Sequence, residues 1–229
     1  MLSTVAIVPS APVMVPELVS AAAAETAELR DAARAAVAAL PSRWLAVGVA
    51  ADDGVAGPDS AGTFAGYGAD VRIALSPAAL SGPPAPQPLC VLVAGWLRGL
   101  AAPEAAVEVR IFGTGTAADA ALAAGRVLRV ELDADPDPVG VLVIADGANT
   151  LSPSAPGGHD PDSLPAQAAL DDALAAGDPA ALARTAAGAV GRVGYQVLAG
   201  LCEPGPRAAE QRYRGAPYGV GYFVGLWRP

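Results

Sequence analysis

The sequence contains no lysine and a single histidine, His159; its 14 basic residues are all arginine and face 23 acidic ones, for a formal charge of -9. Nucleic-acid backbones are held by clustered cations, and no basic stripe is present, so a nucleic-acid partner is excluded. Without lysine the GxxxxGK[ST] phosphate loop cannot be completed. The nearest segment, Gly113-Thr114-Gly115-Thr116, matches neither that spacing nor GxGxxG and reads as a turn before a helix, with a threonine cap. One histidine leaves a Ser-His-Asp set unsupported, and no serine stands in a GxSxG elbow. Cysteine is scarce too: Cys90 and Cys202 belong to no CxxC or zinc spacing and are expected to be buried free thiols of a reducing compartment. The first apolar run lacks a basic flank and stops at Pro9, so neither a signal peptide nor a membrane span is expected, and the protein reads as cytoplasmic.

What the chain does have is apolar mass. Hydrophobic residues make up 53% of its 229 positions, much of that alanine, enough for one domain over residues 1–229 with a substantial core. Strand signals fall at Leu2–Val8, Trp44–Ala50, Asp70–Leu75, Val107–Phe112 and Val141–Ile144. Helix signals fall at 20–40, 89–100, 117–126, 166–176, 180–190 and 193–201. The segment Pro9 to Leu18 carries three prolines and reads as a stiff extended loop. At the end of the chain, Arg207–Tyr213 and Val220–Trp227 read as an antiparallel hairpin, whose aromatics offer core and a surface for a homodimer. The alternation implies an α/β fold: a mixed central sheet flanked by helices and ending in an antiparallel C-terminal hairpin.

The stretch Gly140 to Pro161 organises the whole. Val141 to Ile144 is a continuous β-branched and aliphatic block, the signature of a strand buried on both faces, and it breaks at Asp146-Gly147 into a polar loop. Ligands meet such sheets at the carboxyl ends of the strands. The candidate cleft is therefore Ser10 after the first strand, Asp52 and Asp53 after the second, and Asp146, Asn149 and His159 after the central one, joined by Tyr218 from the C-terminal turn. Paired carboxylates at strand ends suit hard cations, while Asp-Asp-Gly is equally ordinary turn chemistry.

Several segments together, VPSAPVMVPEL, VIADGAN with APGGHDP, QAALDDALAAGDPAALA, YQVLAGL and the terminal APYGVGYFVGLW, resemble the class III extradiol ring-cleavage dioxygenases of the protocatechuate 4,5-dioxygenase beta-chain type, in an uncharacterised branch. The resemblance implies, in catalytic members, a ferrous ion held by two histidines and a glutamate, with a further histidine as acid/base. Where that pattern has histidines this chain has Ser10, the Ala51-Asp52-Asp53 segment and Ala148-Asn149-Thr150; for the glutamate, Glu203 and Glu210 are the late candidates. A lone histidine cannot fill three imidazole roles, so the expectation is a pseudoenzyme with no confident cofactor, Fe(II) only if the family chemistry is retained, and a residual polar cleft for a small aromatic or polar ligand or a partner. The alternative is a metal-dependent oxidoreductase or hydrolase using Asp52, Asp53, Asp146 and His159.

Overall fold

The computed structural model describes residues 1–19, 23–185 and 187–229. Along the chain the strands are β1 (Leu2–Val8), β2 (Trp44–Ala50), β3 (Gly54–Ala56), β4 (Ala61–Thr63), β5 (Arg72–Ala74), β6 (Val109–Gly113), β7 (Val139–Ile144), β8 (Ala208–Gly215) and β9 (Tyr222–Arg228). The α-helices are α1 (Pro16–Val19), α2 (Ala27–Ala38), α3 (Leu89–Ala101), α4 (Ala118–Asp133), α5 (Ser163–Ala176), α6 (Pro179–Leu182) and α7 (Arg192–Cys202). A seven-stranded mixed sheet runs β3-β6-β2-β7-β1-β9-β8. Its centre, β6-β2-β7-β1, is parallel, while β3, β9 and β8 pair antiparallel to their neighbours. Strands β4 and β5 form a separate antiparallel pair.

Strand side chains alternate across the sheet, and the alternation builds two cores. Ala6, Val8, Leu142 and Ile144 point to the layer of α2 and α3, among Leu29, Val37, Leu92 and Leu97. Val5, Ile7, Val141 and Val143 point to the opposite layer, with Leu128 of α4, Leu174 of α5 and Val197 and Leu201 of α7. Every residue of β7 is buried, as its continuous apolar run requires, because helices cover both faces of a parallel centre. Among the described residues no helix is long and apolar enough to cross a membrane. Both thiols are buried and unpaired. Desolvation raises Cys90 to about 11 and Cys202 to about 12, far above the range in which a thiol ionises and reacts.

Several local expectations are corrected. The proline-rich segment after β1 is not extended throughout: Pro12–Met14 forms a 3-10 turn and Pro16 opens α1. Proline is compatible with the first turn, where its missing N–H would have no intrahelical partner. The expected helix over 20–40 is described only from Ala23 and becomes regular at Ala27; residues 20–22 lie outside the described residues. No threonine caps α4, whose N-cap is Ala117, and α4 runs past the expected end at 126 to Asp133. The expected helix 180–190 stops as α6 at Leu182, although its start signal holds: Asp178 accepts from Ala181 N at 3.0 Å, with Pro179 next. The hairpin aromatics Tyr222, Phe223 and Trp227 are core, while Tyr218 is exposed. The exposed feature of the hairpin is instead the β8 edge of the sheet.

The tightest helix crossing is α4 on α7. A Cβ built at Gly200 would overlap the backbone of Leu122, and one at Gly125 would overlap that of Val197 and Leu201. Alanine has the better intrinsic helix propensity, by about 1 kcal/mol, but backbone overlap must separate the helices and costs about 1–3 kcal/mol. Gly200→Ala is therefore expected to lower thermal stability by several degrees in a calorimetric melt; an unchanged or raised melting temperature would show that the crossing relaxes freely.

Candidate functional site

Because β1 and β7 run parallel, with Val8 opposite Ile144, the chain leaves both at the same end of the sheet. Ser10 and Asp146 meet there: the Ser10 backbone N–H donates to Asp146 Oδ1 at 2.8 Å. Asp146 Oδ2 accepts no hydrogen bond from any described residue.

The loop carrying Asp146 is fixed from two directions. Gly147 N donates to Gly221 O at 2.8 Å, and Gly221 N donates to Ala148 O at 2.8 Å, a short antiparallel clasp to the chain entering β9. On the other side Gly191 N donates to Asp146 O at 2.7 Å and Val190 N to Gly147 O at 3.0 Å, at the start of α7. Between the two stands Gln167 of α5. Its Oε1 accepts from Ala148 N at 2.7 Å and its Nε2 donates to Asp171 Oδ1 at 2.8 Å. A Cβ at Gly147 or at Gly221 would overlap this side-chain amide, so glycine is needed at both positions for the backbone to lie against Gln167. Asp171 continues the chain of polar contacts to Arg214 Nε at 3.1 Å.

Burial dominates the electrostatics of this end. Asp146 is half-buried, and desolvation raises its carboxyl to about 7 while the Ser10 N–H pulls it down; a carboxylate losing water is disfavoured in its charged form. Tyr222 is buried, and its phenol is raised by desolvation first and then by the negative charge of Asp146. Tyr195, also buried, donates its hydroxyl to Ala145 O at 2.9 Å and is raised for the same two reasons, with Asp171 adding. Tyr213 and Tyr218 complete the electrostatic neighbourhood of Tyr222. Tyr218 holds a left-handed backbone at φ 59, which costs a residue bearing a Cβ about 1–2 kcal/mol. Its hydroxyl reaches Glu25 Oε2 at 2.8 Å. The arrangement is a carboxyl able to gain or lose a proton near neutrality beside un-ionised phenols, a setting for hydrogen bonds to ligand hydroxyls.

The other sequence candidates fall away from this centre. Asp53 is exposed and its Oδ1 accepts from Gly113 N at 2.6 Å, tying the turn after β2 to the end of β6; Asp52 is exposed beside it. Asn149 is half-buried and packs against Gly157, and His159 is exposed in a backbone bridge to Leu151 that closes the loop on itself. Glu203 pairs with Arg126 at 2.7 Å beyond the far end of α7, and Glu210 pairs with Arg212 at 3.0 Å on β8. Among the described residues no three of histidine, cysteine, aspartate and glutamate are grouped to hold a metal ion. The donor set does not fit a ferrous ion: at the Asp146 centre the ligand types are one carboxylate, phenols and a backbone amide. Gln167, Tyr195 and Tyr222 were missed by sequence reasoning. The glycines at 147 and 221 were the available signal, since both mark a close backbone approach, but nothing in the sequence says to what.

No family model matches the chain, and no curated protein matches it. Among solved structures it is similar to the crystal structure of the uncharacterized protein JW3007 from Escherichia coli K12, with a TM-score of 0.57 at 10% identity over 98% of this chain and 99% of that one. At that identity the likeness shows a shared fold and nothing about the site.

A carboxyl raised in the folded state binds its proton more tightly there than in the unfolded chain. The stability it contributes is full below its unfolded value of 3.8 and is lost as pH rises to about 7. Asp146→Asn, which keeps an oxygen to accept from Ser10 N, is expected to flatten the fall in unfolding free energy between pH 4 and pH 7 by up to a few kcal/mol. Denaturant unfolding of both proteins across that range measures it, and parallel pH profiles would mean that Asp146 ionises as in water.

Proposed function

We propose that this protein is an extradiol-dioxygenase-like scaffold that works without the ferrous site and ring-cleaving chemistry of its catalytic counterparts, binding a small hydroxyl-bearing ligand at the carboxyl ends of β1 and β7. The observation that carries this reading is Asp146: a carboxyl at the end of the central strand, raised to about 7 by desolvation, with Oδ1 anchored on the Ser10 amide and Oδ2 uncommitted to any described residue. A ligand hydroxyl can donate to the carboxylate or accept from the carboxylic acid, and the adjacent phenol of Tyr222 adds a second donor. Such hydrogen bonds in a desolvated site discriminate strongly, since an analogue lacking the hydroxyl leaves the protein group unpaired. The resemblance to ring-cleaving dioxygenases supplies the shape of the ligand, a small ring bearing hydroxyls.

The metal-dependent reading built on Asp52, Asp53, Asp146 and His159 finds less support. Asp53 is committed to the Gly113 amide and His159 lies in an exposed loop.

Catechol is the probe. Calorimetry under air is expected to show it binding without oxygen uptake, and Asp146→Ala or Tyr222→Phe to weaken it by about tenfold or more, the worth of one buried hydrogen bond. Elemental mass spectrometry after anaerobic exposure to Fe²⁺, Mn²⁺ and Zn²⁺ is expected to find no stoichiometric ion. One bound ion per chain that disappears in the Asp52→Ala, Asp146→Ala double variant, together with oxygen consumption on catechol, would overturn the proposal in favour of a metal enzyme.

A further inference from the structure

Gln167 and Ala148, which hold the Asp146 loop, also line a cavity of about 290 Å³. Helix α5 forms one wall through Gln167, Leu170 and Ala173, and the residues Leu182, Arg184 and Ala189 contribute to the other. The apolar lining is alanine and leucine, with no aromatic ring among the described residues.

The polar lining groups are already committed, with one exception. Both polar atoms of the Gln167 amide are engaged, by Ala148 N and Asp171. The Ser163 hydroxyl accepts from Thr150 Oγ1 at 2.7 Å and donates to Asp160 Oδ2 at 3.2 Å. Thr185 Oγ1 donates to Leu182 O at 2.6 Å. Inside the cavity a polar ligand therefore meets satisfied groups, and an ordered water, which needs two to four partners, gains little. An apolar body gains by leaving water.

The exception is Arg184. It is exposed, it is the one charged residue of the lining, and it forms no ion pair with a described carboxylate. A guanidinium at the rim of an aliphatic cavity selects a head group of opposite charge, and carboxylate matches its fork in bidentate geometry.

We propose that this cavity is a binding site for an aliphatic monocarboxylate of medium chain length, its chain lying between α5 and the wall of Leu182 and Ala189 and its carboxylate on Arg184. Size sets the length. An aliphatic-lined cavity of about 150 Å³ holds a six-carbon ring, so the present space of about 290 Å³ has room for a chain of eight carbons or more. The absence of an aromatic wall favours a flexible chain over a stacked ring. The site is separate from the Asp146 cleft and does not rest on the function proposed for it, but the two share a wall at Gln167.

Titration calorimetry of the full chain with sodium octanoate, 1-octanol and octylamine tests this. Octanoate is expected to bind one to one with a negative heat-capacity change, the mark of apolar burial, and octylamine to bind more weakly. Arg184→Gln is expected to weaken octanoate by about tenfold and leave octanol unchanged. Ala169→Leu, which adds bulk at an exposed lining position of α5, is expected to abolish both. Both substitutions are at exposed positions, and circular dichroism confirms the fold. Absence of octanoate binding to the unsubstituted chain would overturn the assignment, as would equal affinity in all three proteins or a preference for octylamine. Catechol titrations report on the Asp146 cleft separately, so failure of either site leaves the other standing.

Discussion

The close packing of one side-chain amide against two glycines governs the functional end of this molecule. Gln167 projects from α5 between Gly147 and Gly221 with no room for a side chain at either, and its oxygen holds the Ala148 amide. Around that contact the chain leaving β7, the chain entering β9 and the chain opening α7 are stitched by backbone hydrogen bonds. A loop so constrained cannot relax when its carboxylate is desolvated. The position of the Asp146 carboxyl is thus fixed by contacts on the far side of its loop.

The chemistry left at the strand ends follows from side-chain inventory. A metal-centred oxygenase concentrates positive charge where its substrate binds, and neutral imidazoles hold the cation without offsetting that charge. Here the same end of the sheet carries phenols beside carboxylates: the charge of Asp146 acts on Tyr195 and Tyr222, and Glu25 accepts from Tyr218. Desolvation favours the protonated form of Asp146, and desolvation together with neighbouring negative charge keeps the phenols of Tyr195 and Tyr222 protonated. Protonated carboxyls and phenols are hydrogen-bond donors, and a site of donors recognises hydroxyl and carbonyl oxygens.

Much of the architecture was legible before the structure. Trp44–Ala50 and the central apolar block of β7 were readable because strands buried on both faces have continuous apolar runs, and Asp178-Pro179 marked a helix start by local chemistry alone. The alanines of 180–190 carry helix propensity, but the backbone there is diverted to pair Val190 and Gly191 with the Asp146 loop, a tertiary demand that outweighs a weak intrinsic preference. The short strands β3 and β4 escaped notice because three residues hold too few alternations to make a pattern. In the site, Ser10 and Asp146 were legible from strand-end position. Asp53 serves the turn after β2, a use the sequence does not separate from a ligand's, since an aspartate in either role looks the same. Gln167 was invisible, being one polar residue on a helix whose role depends on two glycines far away in the chain.

The two thiols have one more implication. Cys90 is pressed against Gly48 at the sheet and Cys202 is enclosed at the end of α7, each far from ionising. Alkylating reagents and mild oxidants, which act on the thiolate at an accessible sulfur, find no ready target in the native fold. A cysteine placed by mutagenesis at the rim of either site would be the single reactive sulfur, so the natural chain already serves as the silent background for fluorophore, spin-label or crosslinker attachment.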